Sequence, residues 1–327
     1  LYKPLITAFL FDLQKLLKYT QIMKIVEQRA YAKVNFGLKV LPPRGDGFHN
    51  LESIFQTVNL FDTVKVRVTN DGGLSVKCSQ MELPEENTIT KTCRAFESVT
   101  GQKLPSMEVV LEKGIPSGGG LGGGSSDAAA LVRILEEITD TVLTDKQIWE
   151  IAGMVGSDVF FFSAFKDGQG CAVVTGRGEF VRPIKGRSDL YLVLVFPPKA
   201  SSTPRAYALV DQLLSKGQDL SYPPLEKLED IYNGSVTNWT FENTFTPAIS
   251  GEIPEITQAI KQVIKTGAQF TSLSGSGSTV FGIYSTATQA QKACEILHEK
   301  WNCTVAKTTT ELTGGLYADQ RTQNQKS

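Results

Sequence analysis

The chain has 327 residues, 41% of them hydrophobic and 20% charged, with 33 basic against 34 acidic side chains and a formal net charge of −1. That is room for two domains of ordinary globular composition, and the charge balance argues against a general nucleic-acid or membrane-surface binder while leaving space for a local basic pocket. Five cysteines, odd in number and without a CxxC pair, fit a reduced, cytoplasmic setting better than a disulfide framework or a zinc site; two histidines exclude a His-rich metal centre, and no uncharged run is long enough to span a bilayer.

Residues 1–22 differ in character from the rest of the chain. Leu5, Phe9, Leu13, Leu16 and Leu17 fit one apolar helical face, but Met23 opens a segment that reads as a natural start, and neither a signal-peptide cleavage site nor an arginine-rich transit pattern is present. These residues are expected to be a leader outside the fold. From Ile25 to Val40, Ala30, Ala32, Val34, Phe36 and Leu38 alternate with Tyr31, Lys33, Asn35 and Lys39. This predicts a strand with Lys33 and Asn35 on one face, which by itself is equally the solvated side of an ordinary sheet. Pro42–Asn50 is a glycine-containing turn that ends in Phe48 and His49. A lone histidine is usually structural, yet loops are where binding residues gather. Leu51–Phe61 is mixed and apolar, 63–69 alternates as a strand, and Pro84–Asn87 leads into a helix over Thr88–Val99.

Met107, Val109 and Leu111 then alternate as a strand, and Leu131, Ile134, Leu135 and Ile138 fall at helical spacing. Between them lies PSGGGLGGGSSD: Pro116, Ser117, Gly118, Gly119, Gly120, Leu121, Gly122, Gly123, Gly124, Ser125, Ser126 and Asp127. Ser125, Ser126 and Asp127 suit a helix start. Glycines between a strand and a helix N-terminus let backbone amides approach a ligand, and the first helical turn favours an anion, of which phosphate is the obvious one. A flexible linker would not sit flush between two patterned elements. Gly118, Gly120 and Gly123 satisfy G-x-G-x-x-G, but Pro116 separates them from the strand and no acidic residue follows at the Rossmann distance. A Walker A loop fails for want of a lysine.

A helix is expected over Asp145–Ala152. Asp158 follows beside an apolar strand start at Val159–Phe162, either capping a turn or held at a site. Gly168–Ile184 reads as a hairpin turning at Gly176-Arg177-Gly178, and a domain boundary falls near Pro183–Ser188. Beyond it come a buried strand (Tyr191–Phe196), a helix (Thr203–Leu214), an irregular polar stretch (Asn233–Asn243) and a helix (Ile256–Lys265). A second glycine loop (Ser272–Ser278), a strand (Thr279–Tyr284), a helix (Thr288–Trp301) and a strand (Thr304–Thr309) complete a small α+β domain. The polar end is expected to be disordered.

Three segments, AYAKVNFGL at Ala30–Leu38, the glycine loop, and LSGSGSTVF at Leu273–Phe281, resemble in order the three motifs of the GHMP kinases. The likeness runs from Met23 to Thr309. It implies a two-domain α+β fold: an N-terminal domain over 23–182 with a left-handed βαβ unit, a ferredoxin-like C-terminal domain over 183–312, a tail over 313–327, and a cleft between the domains. Gly45–Asp62, Gly-Ser-Asp-Val at 156–159 and GRGE at 176–179 are most similar to members that phosphorylate the 2-hydroxyl of diphosphocytidyl methylerythritol in the non-mevalonate isoprenoid route. On that resemblance Asp158 is the base, Lys33 the charge partner of Asp158 and the γ-phosphate, and Asn35 orients the acceptor. The amides of Gly118–Ser126 hold the ATP phosphates, and magnesium bridges them, with a serine such as Ser126 a possible ligand. Asn87 and Lys113 touch adenine. Phe48 and Tyr207 sandwich cytosine, His49 reads its polar edge, and Gly275, Ser276 and Gly277 line the diphosphate. The implied partners are ATP and a small molecule, not nucleic acid or membrane, for a monomer or homodimer. Ser157 and Phe160 stand where the family usually has Ala and Pro, and Phe160 bears on the placement of Asp158. A homoserine- or mevalonate-type kinase and a non-catalytic nucleotide binder are the alternatives. The Phe48-His49 loop speaks against the first, and intact Lys33 and Asp158 against the second.

Overall fold

The computed structural model describes residues 24–70, 72–217 and 221–310. The expected leader and the polar tail lie outside the described residues. Two long strands form the frame. Ile25–Pro43 (β1) and His49–Val68 (β2) pair antiparallel from Ile25 opposite Arg67 to Pro43 opposite His49. The separate pieces expected at 51–61 and 63–69 are therefore one strand. Alternation holds towards its end, but Ser53–Val58 of β2 and Ala32–Leu38 of β1 are buried without a break, because both faces are covered there. Lys33 and Asn35 lie in that covered stretch, so their face is not the solvated side of a sheet.

The other edge of β2 is shared. Leu74–Cys78 (β3) pairs parallel with Met107–Glu112 (β4), with helix Thr88–Thr100 (α1) crossing between them as the βαβ unit. β4 lies against Thr63–Val68, and Cys171–Gly176 (β5) against Leu51–Gln56, with Phe180–Pro183 (β6) closing the expected hairpin. The chain leaves β4 into the glycine loop in the interval of β2 between them.

Helix Gly123–Thr139 (α2) follows the loop. Its N-cap is Gly122 at φ 74°, so it begins before the serines expected to start it, and they lie in its first turn. A helix that starts on glycine has no side-chain cap, which leaves its first amides for something else. Asp145–Val155 (α3) is capped by Thr144. Val159–Phe162, expected as a strand start, belongs instead to helix Ser157–Ser163 (α4). Its four apolar side chains are all buried, so the run carries no period by which to tell helix from strand.

The second sheet comprises Tyr191–Phe196 (β7), Phe270–Leu273 (β8), Val280–Tyr284 (β9) and Asn302–Lys307 (β10), in the order β10-β7-β9-β8 and antiparallel throughout. The short β8 had no alternating signal of its own. Helices Thr203–Ser215 (α5), Leu228–Asn233 (α6), Phe245–Ile249 (α7), Pro254–Lys265 (α8) and Ala287–His298 (α9) complete this half. The two sheets share a core. Ala32, Val34 and Phe36 of β1 and Ile54 and Val58 of β2 pack in one cluster with Leu192, Leu194, Phe281 and Ile283 of the second sheet.

Candidate active site

Where the first sheet and the glycine loop meet α5, α7 and the loop at Ser276 is a cleft of about 500 Å³ lined by Lys33, Asp158, Pro116 to Ser125, Asn87, Lys113, Tyr207 and Ser276, among others. The glycine loop forms one wall and is anchored on two sides. The Lys33 amide of β1 donates to the Leu121 carbonyl at 2.9 Å, and the Thr279 amide donates to the Gly119 carbonyl at 3.2 Å. The Ser274 hydroxyl donates to the Gly120 carbonyl at 3.0 Å. Gly118, Gly120 and Gly122 all take positive φ, and a Cβ on Gly120 would lie 2.1 Å from the Ser274 carbonyl oxygen. The two glycine loops thus touch backbone to backbone, which only glycine permits. The first amides of α2 have no intrahelical partner and, with the helix dipole, suit an anion.

At the floor, the Lys33 ammonium donates to Asn35 Oδ1 at 2.7 Å and lies 3.5 Å from Asp158 Oδ2. It also sits 4.6 Å above the Phe55 ring. Burial pulls the Lys33 pKa below its ordinary value, and Asp158 pushes back without restoring it. Asn35 is held in turn: its amide donates to Ser53 Oγ at 3.3 Å. Asp158 is in the first turn of α4 and partly exposed. Two residues on, the Phe160 ring meets Trp149 edge-on at 5.2 Å.

The nucleobase side is less simple than the sequence implied. Tyr207 lines the cleft, and its ring stacks at 5.0 Å on His49. His49 is buried, with Nε2 2.8 Å from Asp211 Oδ1. Phe48 is exposed, with the Arg177 guanidinium 4.8 Å above its ring. Burial first, and the Asp158 charge second, raise the Tyr207 phenol to about 12. Asn87 and Lys113 line the cleft with their polar groups already engaged. Asn87 caps α1, accepting from the Ile89 and Thr90 amides, while its own amide donates to the Pro84 carbonyl at 2.9 Å. Lys113 donates to Asp62 and, at 2.7 Å, to Asp127. In the third motif, the Gly275 carbonyl accepts from Asn243 Nδ2 at 2.9 Å, Ser276 Oγ meets Thr203 Oγ1 at 3.0 Å, and the Gly277 amide donates to the Ser274 carbonyl at 2.9 Å. Ser126 is buried, whereas Ser125 lines the cleft.

Sequence reasoning missed Asp62, Asp127, Asp211 and Asn243. Asp62 is fully buried and accepts from the Gly114 and Ile115 amides at 2.7 Å each, fixing the entry to the glycine loop. Asp127 Oδ1 is buried without a hydrogen-bond partner. Burial pushes the Asp127 carboxyl up to about 7, with Lys113 opposing and Asp62 adding to the rise. Burial alone would pull Lys113 down, but the two carboxylates outweigh it and raise its pKa. The only sequence signals were an acid directly after the apolar stretch Leu51–Phe61 and another closing the glycine loop.

The family profile described as "GHMP kinases N terminal domain" matches residues 87–165, and "GHMP kinases C terminal" matches 225–303. The 4-diphosphocytidyl-2-C-methyl-D-erythritol kinase of Thermodesulfovibrio yellowstonii is 34% identical over 286 residues, 86% of this chain and 98% of that protein. The chain belongs to the GHMP kinase family. The enzyme of the same name from Treponema pallidum is 35% identical over 85% of this chain and 97% of its own. The crystal structure titled 4-(cytidine 5'-diphospho)-2C-methyl-D-erythritol kinase superposes with a TM-score of 0.71 at 28% identity, covering 86% of this chain and 99% of that one. As a GHMP kinase the chain is an ATP-dependent phosphotransferase of two-domain α+β fold. Among the described residues, no helix is long and apolar enough to cross a membrane.

Proposed function

We propose that this GHMP kinase transfers the γ-phosphoryl group of ATP to the 2-hydroxyl of 4-diphosphocytidyl-2-C-methyl-D-erythritol in non-mevalonate isoprenoid precursor biosynthesis. The observation that carries the chemistry is the approach of Lys33 and Asp158 to 3.5 Å on the floor of the cleft walled by the glycine loop. Phosphoryl transfer needs positioning, charge neutralisation and a proton acceptor. The amides at the start of α2 hold the phosphates. The Lys33 ammonium pairs with Asp158 and faces the charge that develops on the transferring group. Asn35, braced by Ser53, orients the acceptor hydroxyl. That oxygen attacks the γ-phosphorus, its proton passes to Asp158, and ADP leaves.

Magnesium fits the donors present, which are hard oxygens: Ser125 lines the cleft, in preference to the buried Ser126. Bound there, it would neutralise phosphate charge. Asn87 and Lys113 border the adenine through contact rather than free polar groups, because the fold already uses those groups. Phe48 and Tyr207 offer ring faces to cytosine. With Nε2 of His49 held by Asp211, Nδ1 is the ring nitrogen left to read the base. Gly275, Ser276 and Gly277 border the diphosphate. The likeness to the two curated kinases supports this substrate over a homoserine- or mevalonate-type acceptor.

The test is a coupled ADP-release assay on the diphosphocytidyl substrate, with sugars lacking CDP as controls. Stacking a base on an aromatic ring contributes about 1–3 kcal/mol. Tyr207→Ala should therefore raise KM for the cytidine substrate roughly 5- to 100-fold and leave KM for ATP nearly unchanged. If the ratio of the two KM values stays fixed while Tm falls, Tyr207 serves only packing against His49 and Phe245, and the cytidine reading loses its support.

A further inference from the structure

Away from the cleft, Cys294 and His298 stand four residues apart on α9, which puts them on one face of the helix. β10 begins just after, and its Cys303 returns against that face. The two sulfurs are 3.3 Å apart. The ligand atoms of Cys294, His298 and Cys303 all lie within 4.8 Å of one another. Both cysteines are buried beside Leu297 and Trp301 in the core of the second half, while His298 is exposed. The cluster therefore has a dry floor of two sulfurs and an imidazole at its mouth. No CxxC spacing announced it, because the third ligand comes from a strand rather than from the helix.

We propose that Cys294, His298 and Cys303 form a binding site for a thiophilic divalent cation of the zinc class, with the fourth position open to water. Zn–S bonds of about 2.3 Å and Zn–N bonds of about 2.0 Å at tetrahedral angles place the sulfurs ~3.8 Å apart and each sulfur ~3.5 Å from the nitrogen. The sulfurs need to part by about half an ångström, and the exposed imidazole to approach by about 1.3 Å at most. A disulfide instead requires the sulfurs at about 2.05 Å and leaves His298 without a part. Two sulfurs and an imidazole do not suit magnesium, which takes oxygen ligands, so this site is separate in chemistry from the nucleotide's. On binding, the two thiol protons leave to solvent and two metal–sulfur bonds form. The cation would tie α9 to β10, an edge strand of the second sheet. Bound to the folded chain alone, it would stabilise that half by mass action.

The test uses the full chain, kept reduced with a phosphine, and cobalt(II) as the coloured stand-in for zinc, with magnesium as control. The expected result is one equivalent of cobalt per chain, a thiolate-to-cobalt charge-transfer band, displacement by zinc and a higher Tm with zinc bound. Cys303→Ser should abolish the band. His298→Ala changes an exposed residue and should fold normally, yet lower the affinity roughly tenfold or more, since even partners behind a ligand contribute that much. Absence of the band in the reduced chain overturns the proposal, whether or not a disulfide forms on oxidation. So does an unchanged affinity in His298→Ala, which also decides the matter if Cys303→Ser does not fold.

Discussion

Lys33 shows how a single residue is set by its surroundings. It is almost fully buried, held by Asn35, capped by the Phe55 ring and faced by one partly exposed carboxylate. Burial dominates, so its pKa is lowered despite Asp158. An ammonium kept there disfavours folding and is useful only if negative charge arrives, which is what a phosphoryl donor brings. Asp158→Asn keeps the shape and removes the proton acceptor. It should retain ATP binding and lose roughly 10²–10⁴-fold in kcat. Lys33→Met should lose turnover as well, but with Tm unchanged or raised, because it removes a buried charge. Near-normal kcat in Asp158→Asn would return that residue to a helix-start role. A large fall in Tm for Lys33→Met would show that the ammonium is structural.

At the scale of elements, two junctions place the glycine loop. The first is the contact between the two glycine loops. Gly120→Ala adds a Cβ that meets the Ser274 carbonyl and forces alanine into left-handed backbone, which alone costs about 1–2 kcal/mol. Its Tm should fall by a few degrees or more and KM for ATP should rise, whereas Gly45→Ala, with open space around it, should leave both unchanged. Thermal melts and ATP titration of the two variants decide; equal behaviour removes the junction's importance. The second junction is Asp62–Lys113–Asp127, joining β2, the end of β4 and α2. The folded pKa of Asp127 is raised from 3.8 to about 7. A raised pKa contributes stability that is fully present below the unfolded value and lost as pH rises through the folded one. Asp127→Asn removes that dependence. The Tm of the variant minus that of the parent should therefore grow between about pH 4 and about pH 7. A difference that stays flat would mean Asp127 is ionised throughout.

For the whole molecule, the cluster shared by β1, β2, β7 and β9 matters most. Further links cross between the halves. The Thr309 amide donates to the Thr57 carbonyl at 2.9 Å, the Leu38 amide to the Glu242 carbonyl at 2.8 Å, and the Tyr232 hydroxyl to Gln56. Domains joined only by a linker unfold separately, but a common core couples them. The chain should show one thermal transition with matching calorimetric and van't Hoff enthalpies. Two resolved transitions would show that the shared cluster does not couple the halves. The cleft floor is built on this core, which sets the spacing between Lys33 from the first sheet and the Ser274–Ser276 loop from the second.

What the amino-acid order determined on its own was local. Alternation marked Ala30–Leu38 of β1 and the end of β2, helical spacing marked α2, and the strand–glycine–helix sequence marked a phosphate loop, because each depends on neighbours in the chain. The three motifs likewise pointed to Lys33, the loop and Ser276 as parts of one site. Tertiary structure decided what depends on both faces being covered. It made Val159–Phe162 a helix, since a run buried on every side has no period to read. It moved the start of α2 ahead of the serines, with Gly122 as its N-cap, since the loop's shape is set by contact with Ser274 and Lys33 rather than by capping hydroxyls. It stacked Tyr207 on His49, spent Asn87 and Lys113 on a cap and an ion pair, and brought Asp62 to Asp127 and Cys303 to Cys294. These are distances between segments whose meeting no local pattern records, and packing alone fixes them.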